Sequence, residues 1–273
     1  MLKKKSLLMV IFLIIGLFAA GCGTAKEPVA EDTSLADIQA KGVFILGLDD
    51  AFPPMGFRGE SGEIEGFDID LANEVAKRMG VKVQLQPIDW TAKEMEINNK
   101  NIDVIWNGLT ITPEREAALT FSQPYLGNKQ VIVILAASTI DKKSDLAGKK
   151  VGVQLDSSGQ AAVEKETAIL DSFGEFLKFD TYTTALLDLK NGTIDAVVGD
   201  EILIKYMMTK DPGTFKVASD NFGDELYGVG FRKSDISFAA EVNKQFNAMT
   251  ADGKAAEIST KWFGEDIFYN PAK

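Results

Sequence analysis

The chain has 273 residues, 45% of them hydrophobic and 25% charged, with a formal net charge of −11. That length allows one large or two small domains, and that apolar fraction supports a genuine core rather than disorder. Histidine is absent and cysteine occurs once, so a histidine-based triad, a multi-cysteine metal site and an internal disulfide are excluded by inventory. The acidic balance argues against nucleic acid, which needs a basic footprint.

Lys3, Lys4 and Lys5 precede an apolar run from Leu7 to Ala20, closed by Gly21 and Cys22. A basic segment, a short apolar core and small residues predict a secretory signal over 1–21, too short to span a bilayer comfortably. Its removal takes away three lysines and no acid, so the mature chain is more acidic still. Gly23 to Ser34 is small and polar, and 22–34 reads as a flexible tether.

Val43 to Gly47 predicts a strand. Asp49, Asp50 and Phe52 follow its carboxyl end, and Pro53 and Pro54 stop any ladder there. Ligands in open α/β sheets bind outside such ends. Gly59 to Gly66 reads as a hairpin-type loop. Phe67 to Gly80 is the clearest helix, with Leu71, Ala72, Val75, Ala76 and Met79 at helical spacing. Asp68 or Asp70 is expected to cap its start and Gly80 to end it. Val81 to Gln86 alternates as a strand, Trp90 sits in a turn, and Ala92 to Asn99 reads as a helix. Asn101 to Trp106 is a strand in which Trp106 alternates into the core.

GLTITPER, Gly108 to Arg115, comes next. It packs the hydroxyls of Thr110 and Thr112 and the guanidinium of Arg115 into one turn. Arginine offers a planar fork that meets a carboxylate with two parallel hydrogen bonds, and hydroxyls supply further donors. The octamer suits a clamp for a small carboxylate. Alone, so short a match more often marks a surface arginine after a proline-started helix.

Phe121 to Leu126 reads as a loop and Gln130 to Ala136 as an apolar strand, then Ser144 to Gly148 as a turn-like helix. A second alternation begins with a strand at Lys150 to Gln154. Asp156, Ser157, Ser158 and Gly159 lead into a helix from about Gln160 to Leu170. A strand at Leu177 to Phe179 and a helix at Thr183 to Lys190 follow. Thr193 to Val198 is a strand ending in Gly199 and Asp200; Glu201 starts a helix to about Met208. Phe215 to Ala218 and Tyr227 to Phe231 are strands, and Ile236 to Phe263 carries two helices around Asp252 and Gly253. Two series with a break near Gly127 to Gln130 predict an α/β protein with mostly parallel sheets. The last strand and helices have no place in the second series, so the first domain is expected to be discontinuous.

Two resemblances add to this reading. AAGC, Ala19 to Cys22, resembles a bacterial lipoprotein box, with Ala19 where leucine is preferred. It implies lipid attachment at Cys22 and a domain tethered to the outer face of the cytoplasmic membrane. GFDIDLANEVAKRMG, GLTITPERE with FSQPY, KVGVQLDSSG, IDAVVGD and YGVGFRK occur in one order between about Leu35 and the end. Together they resemble the substrate-binding proteins of ABC importers for polar amino acids, the extracellular solute-binding proteins of family 3. The resemblance implies a periplasmic-binding-protein type 2-like fold. Two α/β lobes, 35–127 plus 227–273 and 130–222, would be joined by two hinge strands near Gly127 to Gln130 and Phe222 to Leu226. It implies a monomer that closes on a small-molecule amino acid and delivers it to a membrane permease, with no catalysis, cofactor or metal.

The family's contacts carry over by position. Arg115 would grip the α-carboxylate, Thr110 would serve carboxylate and ammonium, and Gly108 would offer its carbonyl to the ammonium. Ser158 would donate to the carboxylate beside the Gly159 amide at a helix start. Asp200 would pair with the ammonium, Phe52 and Trp90 would sandwich the side chain, and Asp49 would bond its polar end. Asn107, Gly108 and Asp156 depart from the family's commoner residues where side-chain selection is set. If Asp49, Asp50 and Asp156 face one tip, with Phe52 and Trp90 adding cation–π attraction, arginine or lysine is favoured; glutamine or cystine are the alternatives. A lyase-type enzyme on the same scaffold would have only Asp49, Asp200 and Glu201 to draw on.

Overall fold

The computed structural model describes residues 32–269. The expected signal, most of the tether and Cys22 lie outside the described residues.

The first elements build an α/β layer. Helix α1 (Ser34–Lys41) leads into β1 (Val43–Leu48), a short antiparallel trio β2 (Ala51–Phe52), β3 (Gly56–Arg58) and β4 (Ile64–Glu65), and helix α2 (Phe67–Met79). Then come β5 (Lys82–Pro87), α3 (Lys93–Asn98), β6 (Val104–Ile105), α4 (Pro113–Ala118) and β7 (Leu119–Phe121). Helix α2 buries Leu71, Ala72, Val75 and Ala76, and Gly80 caps its end in the left-handed conformation. Helix α1 was not foreseen, because it buries only Ile38 and so shows little periodicity.

The long strand β8 (Leu126–Leu135) carries the chain into a second layer. That layer is β9 (Lys150–Gln154), α5 (Ser158–Lys165), α6 (Thr167–Leu170), β10 (Glu175–Phe179), α7 (Tyr182–Lys190), β11 (Ala196–Asp200) and α8 (Glu201–Lys210). Strand β12 (Phe215–Tyr227) leads back to β13 (Gly230–Arg232), α9 (Ile236–Ala251) and α10 (Lys254–Phe263). The expected helix over 160–170 is two helices, meeting at Glu166.

The sheet orders are β5-β1-β6-β13-β7 and β10-β9-β11-β8-β12. Each is parallel on one side and antiparallel on the other, because β13 pairs antiparallel to β6 and β7, and β8 antiparallel to β11 and β12. The chain is thus a two-lobed α/β protein. Strands β8 and β12 pair from Leu126↔Tyr227 to Leu135↔Phe215, with register shifts on either side of Asn221. The break read near Gly127 to Gln130 is therefore unbroken strand; the polar run there hides it from a hydrophobicity reading.

Alternation explains how each sheet is buried on both faces. In β1, Phe44, Leu46 and Leu48 join one core cluster while Ile45 packs against another. In β8, Val131 and Val133 face one cluster, Ile132 and Ile134 the other. Trp106 is fully buried, as expected, edge-on to Phe246 with ring centroids 5.5 Å apart.

Gly66 has a structural demand of its own. Its φ is +150°, and a Cβ there would lie 2.2 Å from the Met55 carbonyl oxygen. Gly66→Ala should therefore destabilise the fold by about 2–4 kcal/mol in urea unfolding. Gly62→Ala, at φ +83° in open space, should cost about 1 kcal/mol; equal losses would reject the close approach.

Candidate ligand-binding site

The carboxyl ends of the parallel strands converge on one cavity. Asp49 follows β1, Asn107 and Gly108 follow β6, Ser157 and Ser158 follow β9, and Asp200 ends β11. The lining is Asp49, Phe52, Trp90, Asn107, Gly108, Arg115, Gln154, Ser157, Ser158 and Asp200. The cavity is small, about 10 Å³. An open groove of about 660 Å³ shares Arg115, Ser157 and Ser158 and adds Thr110 and Glu225.

Each side chain is held by its own element. Asp49 is buried; its carboxylate accepts from the Ala51 amide at 2.9 Å and from Gln154 Nε2 at 2.8 Å. Burial pushes its carboxyl above the ordinary range. Thr112 caps α4, accepting from the Arg115 amide. Arg115 is half-buried and donates Nη1 to the Thr110 carbonyl at 3.0 Å. Among the described residues no carboxylate lies within ion-pair distance of it. Burial pushes its guanidinium down from the usual value, partly offset by the more distant Asp156 and Glu225. Ser157 caps α5, accepting from the Gln160 amide.

Asp200 is buried at the end of β11. Its Oδ1 accepts from Tyr227 at 2.5 Å, Asn128 at 2.7 Å and Gln130 at 3.0 Å. Its carboxyl is pushed up to about 7, by burial first and then by the Glu225 charge. The cavity thus has an unpaired guanidinium and a carboxylate with no cationic partner among the described residues.

Gly108 has φ +61°, and a Cβ there would lie 2.8 Å from Phe52 Cε1. Its amide donates to Asp68 at 2.8 Å. Asp68 is therefore not the helix cap that the sequence led us to expect. The residue before the helix is Gly66, with no side-chain cap, and Asp68 turns inward to hold the Gly108 amide and the Tyr125 hydroxyl. Asp70, the other candidate, accepts from Lys261 and Trp262 instead.

Seven of the eight residues singled out, Asp49, Phe52, Trp90, Gly108, Arg115, Ser158 and Asp200, line the inner cavity. Thr110 lines the groove and donates to Ser158 Oγ and Glu225 Oε2, both at 3.0 Å. Neither Asp50 nor Asp156 lines the inner cavity. Asp50 pairs with Arg58 at 2.6 Å, and Asp156 pairs with Lys93. Lys93 is fully buried, bonds the Trp90 carbonyl at 3.1 Å, and sets its ammonium 5.1 Å from the Trp90 ring centre. Sequence reasoning did not single out Gln154, Ser157 or Lys93. Asn128, Gln130 and Glu225 were also passed over. The one available signal was Asn128 and Gln130, two residues apart and polar at the start of an apolar strand.

A two-lobed fold with a charged cleft at its strand ends defines a solute-binding protein. The family model for bacterial extracellular solute-binding proteins, family 3, matches residues 44–265, and the chain belongs to that family. The L-cystine-binding protein TcyJ of Escherichia coli (strain K12) is 30% identical over 258 residues, 93% of this chain and 96% of that protein. The L-arginine-binding protein of Pseudomonas aeruginosa is 30% identical over 237 residues, 82% of this chain and 88% of that one. A substrate-binding protein of an ABC uptake transporter from Streptococcus pneumoniae, solved with bound histidine, is 37% identical with a TM-score of 0.84. That match covers 88% of this chain and 99% of the other.

Asp68 and Asp200 both have carboxyls pushed up to about 7 from 3.8. An acid whose folded pKa is raised stabilises the fold at low pH and loses that contribution as pH rises through the folded value. The wild type should therefore lose stability relative to Asp68→Asn between pH 5 and pH 8, on the order of 2–3 kcal/mol. Parallel unfolding curves for the two proteins across that range would contradict a buried, uncompensated Asp68.

Proposed function

We propose that this protein captures a polar L-amino acid outside the cytoplasm and delivers it to the permease of an ABC importer. The observation that supports this most directly is the placing of Arg115 and Asp200 in one cavity, each without an ionic partner among the described residues. A zwitterion is costly to desolvate unless both of its charges are met. Arg115 suits the α-carboxylate, with Ser158 and Thr110 hydroxyls beside it, and Asp200 with the Gly108 carbonyl suits the α-ammonium. Phe52 and Trp90 flank the side chain, and Asp49 meets its far end. The walls leave space for no more than a water, so a guest requires them to part and close again. Such a change follows if the ligand's contacts differ between the two states. Strands β8 and β12 supply the hinge between 35–127 plus 227–273 and 130–222. Lipid attachment at Cys22 and a monomeric state complete the proposal, resting on the sequence.

For the ligand, a cationic tip is favoured. Of Asp49, Asp50 and Asp156, only Asp49 lines the cavity, buried and with no cationic partner among the described residues. Arginine or lysine would supply one, as the relatives that bind arginine suggest. A specific observation favours a second reading, a neutral polar side chain such as glutamine or cystine. Lys93 already presents its ammonium to the Trp90 ring, and two cations on one ring repel.

Arg115→Ala should leave the fold intact and weaken amino-acid binding at least ~100-fold, the loss typical when one partner of a buried charge pair is removed. Calorimetric affinity within severalfold of wild type would reject the clamp. In a thermal-shift series, arginine or lysine should raise the melting temperature more than glutamine does, since ligand that binds only the native state stabilises by mass action. The reverse order would favour the neutral reading.

A further inference from the structure

Glu225 sits on β12 directly opposite Asn128 of β8, and Asp200 sits on β11 opposite Gln130 of the same strand. Asn128 and Gln130 are two residues apart, so their amides share a face between the two acids. Asn128 Nδ2 donates to Asp200 Oδ1 at 2.7 Å and to Glu225 Oε2 at 3.1 Å. Gln130 Nε2 donates to the same two oxygens at 3.0 and 2.9 Å. Two carboxylate oxygens thus share two nitrogen donors. The remaining direct partners are neutral as well. Tyr227 donates to Asp200 at 2.5 Å, while Thr110 and Ser158 donate to Glu225 at 3.0 and 3.3 Å. The Tyr182 hydroxyl of α7 also faces Asp200. Arg115 of α4 attracts both acids from beyond ion-pair distance.

Two carboxylates this close, one of them buried, cannot both ionise cheaply without a cation between them. Asp200 on β11 and Glu225 on β12 lie on either side of β8 in one sheet. Of their direct partners, Thr110 and Tyr227 fall within 35–127 plus 227–273.

We propose that Glu225 is a second acid for the ligand's α-ammonium, and that the empty Asp200–Glu225 pair holds one proton which the ammonium displaces. This rests on the amino-acid reading above. The ligand arrives and stays as an ammonium, and the proton it displaces from the pair passes to solvent. Capture is then linked to pH. Below about 7, where Asp200 holds its proton, binding must expel it. Above that value Asp200 is already ionised and nothing is expelled. The second acid also tunes selection: a ligand lacking a free α-ammonium leaves two carboxylates facing each other, not one.

Calorimetry of the full chain with L-arginine and with L-glutamine, in buffers of differing ionisation enthalpy, tests this. At pH 6 the wild type should release about one proton per ligand, falling towards zero by pH 8.5. Its affinity should rise roughly tenfold per pH unit at most below neutrality, then level off. Glu225→Gln keeps an acceptor for Thr110 and Ser158 but removes the charge. It should bind with release cut by at least half and a flatter affinity profile. Wild-type heats that do not depend on the buffer, or equal release from Glu225→Gln, would overturn the proposal while leaving the amino-acid reading standing. Absence of binding by every amino acid in the wild type would instead take both down.

Discussion

A buried charge without a partner is the constraint around which this protein is arranged. Arg115 and Asp200 line one cavity, and among the described residues neither meets an opposite charge within ion-pair distance. Such an arrangement is unfavourable in an isolated fold, because desolvation is not repaid. It becomes favourable when a guest carries the two complementary charges at matching separation. The rest of the site keeps those two groups apart and aimed. Thr112 caps the helix bearing Arg115, and the Thr110 carbonyl fixes the guanidinium. Asn128, Gln130 and Tyr227 crowd Asp200 with donors.

The lobes meet here through the Phe52 and Tyr182 rings, with centroids 6.0 Å apart, and through polar contacts. Asp49 bonds Gln154, Thr110 bonds Ser158, and Lys93 bonds Asp156. Contacts of this kind can exchange for water or for ligand at modest net cost, since a typical hydrogen bond is worth about 1 kcal/mol net. Lys93 is the exception in degree: its whole side chain is buried, and burial pushes its ammonium down from the usual value while Asp156 partly offsets this.

Much of the architecture was legible because it rests on periodicity. Helix α2 and strands β1, β9 and β11 announce themselves through apolar residues at helical or alternating spacing. Less was legible where polar residues are buried. The first half of β8 reads as a break between the two series because Asn128 and Gln130 are polar, yet both are buried and bonded to acids. Asp68 looks like a helix cap in sequence; only the fold shows it turned towards Gly108, forty residues away. Asp50 and Asp156 look like cleft acids beside Asp49. Their partners, Arg58 and Lys93, are visible only in three dimensions.

What the sequence alone determined was the alternation of strands and helices in two series and the family to which the chain belongs, since local spacing and short motifs are properties of neighbours along the chain. What tertiary structure alone decided was which charges remain unpaired. That depends on groups more than a hundred residues apart: Gln154 on Asp49, across 105 residues, and the Glu225 carboxylate on Thr110, across 115. Electrostatic compensation is set by distance in space and by exclusion of water, and neither is written in the spacing of residues along a chain.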